Sequence, residues 1–127
     1  MKLTNRTKSV LHLKNAKNAN SKDDWETPPE LFKTIAIRFG INCNLDVCAT
    51  KLTTKCYRYF TEEDDALGLE WGLYTRNHHG TTGWFCNPPY SETKKWIAKC
   101  HEQFWKWKVP GVALVFNHTP AWYFDYV

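Results

Sequence analysis

No run of apolar residues in this 127-residue chain is long enough to cross a bilayer or to serve as the core of a secretory signal. The expectation is therefore a protein that works in the cytoplasm, without a membrane partner. No Cys-x-x-Cys knuckle occurs either. The five cysteines, Cys43, Cys48, Cys56, Cys86 and Cys100, are odd in number and irregular in spacing. That pattern argues against a disulfide framework and against zinc held with His78 and His79, and for buried free thiols in a reducing compartment. There is no heptad repeat to argue an oligomeric state from. Acidic residues are missing from residues 1–22, which carry six Lys and Arg and much Asn. Only Val10, Leu11 and Leu13 could pack there, so the stretch reads as a basic, disordered arm.

What remains, residues 23–127, has the length of one domain. With 43% apolar and 16% aromatic residues over the chain, a core can be filled. The net charge of +4 permits nucleic acid as a partner without requiring it.

The segment Thr27-Pro28-Pro29-Glu30 has the spacing of a capping box, with Pro28 at the first helical position where no donor is needed. Leu31, Phe32, Ile35, Ala36 and Phe39 then recur at three and four residues, giving one apolar face, and Gly40 is placed to stop the helix. Ile41, Cys43, Leu45 and Val47 alternate as a strand with one buried face. Asp46 falls near its carboxyl end, where open α/β sheets bind ligands. Tyr57, Tyr59 and Phe60 precede four acids, Glu62 to Asp65, which by themselves read as a solvated turn before Ala66, Leu67 and Trp71. Residues 73–83 are turn formers without periodicity, and His78 and His79 are assigned no role.

The most informative stretch is Trp84-Phe85-Cys86-Asn87-Pro88-Pro89-Tyr90. An apolar strand must end there, because two successive prolines remove two ladder donors. The loop that follows offers the Asn87 amide, unclaimed carbonyls and an aromatic ring, which suits a flat substrate with an exocyclic amine. If Asn87 Oδ1 and the Pro88 carbonyl each accept one N–H, the nitrogen can pyramidalise and aim its lone pair at an electrophile. Tyr90 would hold the ring by stacking. After it, Ser91 and Thr93 are alternative caps for a helix with Trp96, Ile97, Cys100, Phe104 and Trp107 on one face. Lys94, Lys95, Lys99, Lys106 and Lys108 lie mostly elsewhere, as a solvated face. Val112 to Phe116 reads as a buried parallel strand, and a further helix begins near Ala121.

These motifs, in this order, resemble the phage-type DNA N6-adenine methyltransferases of the Dam-like family, over about Asp24 to Phe124. The resemblance implies an α/β fold: a three-layer Rossmann-like methyltransferase domain with a mostly parallel sheet, C-terminally incomplete because further strands are expected. It implies S-adenosylmethionine as cofactor, double-stranded DNA as partner and transfer of methyl to adenine N6, in a bacterial host cytoplasm. Asn87, Pro88, Pro89 and Tyr90 become the catalytic loop. Trp25, Thr27 and Pro28 correspond to a Trp-x-Thr-Pro loop that contacts the cofactor. Asp46, Cys48 and Ala49 lie at the end of the first cofactor strand. Asp65, with Asp64 in reserve, and Leu67 meet the cofactor adenine. One departure is plain: Ala49 and Thr50 stand where methyltransferases generally carry glycine, so close backbone approach is less assured. Other readings of the same loop are an inactive or DNA-binding remnant, and an Asn-Pro-Pro-Tyr methyltransferase acting on RNA or on protein glutamine.

Overall fold

The computed structural model describes residues 25–75 and 82–115. Their elements are α1 (Pro29–Phe39), β1 (Asn42–Asp46), β2 (Arg58–Tyr59), α2 (Gly72–Thr75), β3 (Thr82–Cys86), α3 (Thr93–Trp107) and β4 (Gly111–Ala113). The basic arm, His78 and His79, Phe116 and the helix expected near Ala121 lie outside the described residues. All strand pairings are parallel, in the order β2-β1-β3-β4. The two-residue β2 had no expectation in the sequence, since nothing in Arg58-Tyr59 has a period.

Both faces of the sheet are covered, and the pleat divides the core. On one side Phe85, Val112 and Leu114 meet Trp25 and Ile35 of the α1 layer. On the other, Trp84, Cys86 and Leu45 meet Trp71, Trp96 and Cys100 of the α3 layer. The three-layer α/β expectation is therefore met. One alternation was misjudged: Cys43 and Leu45 face opposite sides. The register between β1 and β3 shifts between these two residues, so the extra residue, Asn44, turns the strand over midway.

Capping also departed from expectation. Helix α1 starts at Pro29 with Pro28 as its N-cap, and no side chain caps it. Gly40 does end it, in the left-handed region at φ 63°. Helix α3 starts at Thr93, whose hydroxyl donates backward to the Tyr90 carbonyl at 2.8 Å. Phe104, expected inside, is 40% exposed, and Gln103 takes the buried place at 1%. Lys99, expected on the solvated face, is also buried.

Gln103 is buried because the α2 corner needs it. Its Oε1 accepts the Trp71 N–H at 2.7 Å, and its Nε2 donates to Glu70 Oε2 at 3.0 Å. Trp107 Nε1 and Lys106 Nζ complete the shell around Glu70. These donors, Lys106 foremost, pull the Glu70 carboxyl down to about 2. Trp71 is fully buried, edge-on to Trp84 at 5.4 Å and stacked on Trp96 at 6.3 Å. All five cysteines are free thiols. Burial, aided by the Asp46 charge, pushes Cys43 and Cys48 up to about 12, so neither is a thiolate nucleophile at neutral pH.

Two glycines separate packing from backbone effects. A Cβ on Gly72 would lie 2.1 Å from Trp107 Cγ, whereas one on Gly40 would meet nothing within 4 Å. Gly72→Ala is expected to cost about 1–3 kcal/mol through overpacking. Gly40→Ala should cost about 1 kcal/mol through its left-handed backbone. Urea unfolding of the two variants measures both, and a harmless Gly72→Ala would refute the packing of α3 on α2.

Candidate functional site

The chain moves outward from β1 to β2, then crosses back to place β3 on the other side of β1. The strand order therefore reverses between β1 and β3, and ligands of open α/β sheets bind outside the carboxyl ends of strands at such a point. A cleft of about 670 Å³ lies there. That is the size range of cofactor pockets.

Strand β1 delivers Asp46 to the cleft floor, 2% exposed. Its Oδ1 accepts the Cys48 N–H at 3.3 Å and its Oδ2 the Lys55 N–H at 3.0 Å. Burial outweighs these donors and the Lys55 charge, and raises the Asp46 carboxyl from its ordinary 3.8 to about 6. Cys48 and Ala49 line the same wall. Ala49 is held by its N–H to the Phe60 carbonyl at 3.0 Å, which extends the β1–β2 ladder past the end of the strands.

The segment before α1 supplies Trp25 and Thr27. Thr27 is 2% exposed, and its hydroxyl, expected to cap α1, has no hydrogen-bond partner among the described residues. A buried hydroxyl left without a partner in a cleft wall is a feature a ligand can satisfy. Pro28, next to it, does not line the cleft.

From β3 come Asn87 and Pro89. Asn87 Nδ2 donates to the Trp25 carbonyl at 3.2 Å across 62 residues of sequence. With its donor end engaged, the amide keeps Oδ1 as an acceptor. The Pro88 carbonyl accepts no hydrogen bond among the described residues. Pro88 and Tyr90 stand outside the cleft lining, with Tyr90 42% exposed at the start of the turn leading into α3.

The acidic run closes the remaining side. Asp64 turns back to cap its own 3-10 turn, its Oδ2 accepting the Thr61 N–H at 2.8 Å and the Thr61 hydroxyl at 3.1 Å. Asp65 adopts φ 53°, ψ 65° and lines the cleft with Leu67. A non-glycine residue in the left-handed region costs roughly 1 kcal/mol and tends to mark sites under functional constraint.

Several lining residues were not anticipated: Glu26, Lys55, Thr61, Glu62 and Glu92 among them. Lys55 carries the most consequence, because its side chain is only 9% exposed. Only its place directly after a Thr-Thr turn hinted at it, and that is no signal. The lining holds five carboxylates, of Glu26, Asp46, Glu62, Asp65 and Glu92, against one ammonium, that of Lys55. An acidic cleft in a chain of net charge +4 favours a cationic ligand. Among the described residues there is no group of three or more His, Cys, Asp or Glu able to hold a metal. None of their helices is long and apolar enough to cross a membrane.

A parallel three-layer sheet with a cofactor-sized cleft at its reversal point, and an Asn-Pro-Pro-Tyr loop at the rim, defines a Rossmann-like core of the methyltransferase type. The sequence profile of the Dam family, DNA N-6-adenine-methyltransferase, matches residues 14–127, and the chain belongs to that family. It is 28% identical over 102 residues to the DNA N-6-adenine-methyltransferase of Escherichia phage T1, covering 80% of this chain and 40% of that protein. It is 37% identical over 68 residues to an Escherichia coli K12 protein carried under the provisional name methyltransferase YfdM, covering 54% of this chain and 71% of that one. The chain thus spans less than half the length of its phage T1 relative. No solved structure matches significantly.

The raised Asp46 carboxyl has a sign that can be tested. The folded chain holds this proton more tightly than the unfolded chain, so the group's contribution to stability is full below about pH 3.8 and is lost as pH rises through about 6. Relative to Asp46→Asn, the wild type should lose about 3 kcal/mol across that window. Urea unfolding of both proteins at either end of the window checks this. A pH-independent difference would contradict it.

Proposed function

We propose that this protein transfers a methyl group from S-adenosylmethionine to the N6 amine of adenine in double-stranded DNA. The observation that carries the reading is the Asn87–Trp25 hydrogen bond, which fixes the amide at the cleft rim by its donor end and leaves Oδ1 for an incoming N–H. Family membership supports the same chemistry.

The residues fit the cofactor on three counts: the partnerless Thr27 hydroxyl, the buried Asp46 carboxylate, and a lining rich in acid. When bound, S-adenosylmethionine supplies a methyl group on a positively charged sulfur. Asp46 would pair with its ammonium and Thr27 would bond the methionine end. Asp65 would accept from the adenine amine, beside Leu67, while Trp25, Cys48 and Ala49 shape the walls. Asp64 is spent on Thr61, which leaves Asp65 as the acid for that role.

The catalytic loop positions the target base. Asn87 Oδ1 and the Pro88 carbonyl accept the two N–H bonds of the target amine, localising its lone pair, and Tyr90 stacks on the base. Pro89 stiffens the loop, and its carbonyl accepts the Glu92 N–H at 3.0 Å at the entry to α3. With the amine held between Asn87 and Pro88, its extra proton would leave for water once the methyl group is on nitrogen. Adenine must leave the stack to reach this loop.

Labelled methyl should pass from S-adenosylmethionine to unmethylated duplex DNA and be recovered as N6-methyladenine. Asn87→Ala is expected to lower the rate by roughly two orders of magnitude or more while still binding cofactor. Absence of transfer by the folded protein, or label on RNA or protein instead, would overturn the proposal. Because Asp46 must be ionised to pair with an ammonium, cofactor affinity measured by calorimetry should fall as pH drops below about 6.

A further inference from the structure

The geometry points to Lys55 as the residue that binds the carboxylate of the cofactor's methionine end, so that Lys55 and Asp46 together form a receptor for the zwitterion. This inference rests on the cofactor reading above and names the group that completes it.

Three observations carry it. First, the Lys55 side chain is 9% exposed and lines the cleft, yet its ammonium makes no hydrogen bond among the described residues. Its ion pair, to Glu26 Oε1, is 3.7 Å long, beyond hydrogen-bond range. An ammonium has three donors, and holding one nearly buried without a hydrogen bond is costly. Second, the Lys55 backbone N–H is bonded to Asp46 Oδ2 at 3.0 Å, so the anion adjoins the residue that carries the cation, and the Lys55 charge acts on the Asp46 carboxyl. An α-amino acid end carries those charges in complementary order, ammonium toward Asp46 and carboxylate toward Lys55. Third, Lys55 is the sole ammonium in a lining that otherwise holds five carboxylates. A ligand that is cationic elsewhere but carries one carboxylate has one place to put it.

Glu26 fits the same account. Its side chain is 42% exposed and its oxygen lies loosely at the ammonium, so a ligand carboxylate can displace it toward solvent. A purely structural lysine would be expected to make a short bond to a fixed acceptor.

The test compares two ligands on three proteins by calorimetry. S-adenosylmethionine and decarboxylated S-adenosylmethionine differ only in the carboxylate. Wild type should bind the first about 10- to 100-fold more tightly than the second. Lys55→Met should lose that preference by weakening for S-adenosylmethionine alone, and Lys55→Arg should restore part of it. Equal weakening toward both ligands would mean that Lys55 acts only through the fold, and would overturn the assignment. So would an unchanged preference in Lys55→Met, or a wild type that binds both ligands alike, although the cofactor reading would survive either result. A folded wild type that binds neither ligand removes the cofactor reading and the Lys55 assignment with it.

Discussion

Burying an ionisable carboxyl at the end of a strand costs several kcal/mol unless donors are brought to it. Asp46 is in that position, and the chain after it is shaped by the need to supply them. The strand stops, and the next nine residues curl back so that the N–H groups of Cys48 and Lys55 both reach the carboxylate. That curl delivers Lys55 to the cleft and starts the approach to β2. The ladder then closes around the strand end: Phe60 donates to the Asp46 carbonyl at 2.9 Å, and Val47 to the Phe85 carbonyl at 3.0 Å. The backbone that carries the carboxylate is therefore fixed from both neighbouring strands. The donors are not enough to hold its pKa at the ordinary value, so part of the burial cost is left for a cation in the cleft to offset.

The second constraint is the tie between Asn87 and Trp25. Trp25 is anchored in the core under α1, with Ile35 and Phe85, while its carbonyl faces the β3 loop. A residue that ends one strand is thus registered against the segment that precedes α1. The contact joins two sides of the cleft, as the longer Lys55–Glu26 ion pair does from the loop after β1.

Much of this was legible in the sequence, for physical reasons that can be named. Asp46 was placed near a strand end by the alternation around it, and Asn87 at one because two successive prolines remove ladder donors; both line the cleft. Gly40 was legible because few other residues end a helix at positive φ. What escaped was whatever depended on a partner distant in sequence. Thr27 and Glu30 have the spacing of a capping box, yet the Thr27 hydroxyl turns out not to cap. A one-residue bulge reversed the faces of Cys43 and Leu45, and a local pattern does not announce a bulge. Gln103 drew no reading from the sequence, because its acceptor role is set by Trp71, 32 residues away. Spacing from Leu67 favoured Asp65 and kept Asp64 in reserve, but it did not show that Asp64 caps its own turn through Thr61 while Asp65 lines the cleft.

Gln103 also shows how the far side of the sheet bears on the cleft. Its Oε1 holds the Trp71 backbone, and the Trp71 indole donates to the Ala66 carbonyl at 2.8 Å. Ala66 lies between Asp65 and Leu67, and all three line the cleft. A chain of two buried hydrogen bonds therefore runs from the middle of α3 to the acidic wall of the site. The left-handed backbone at Asp65 is a strained conformation, and strain persists only where the surroundings enforce it. Here the enforcement comes from two sides: the Asp64–Thr61 cap before it, and the Trp71–Ala66 bond after it. The aromatic cluster under the sheet thus does more than fill volume. By fixing the indole between Trp84 and Trp96 it fixes the direction of an N–H, and through that the backbone next to Asp65 in the cleft wall.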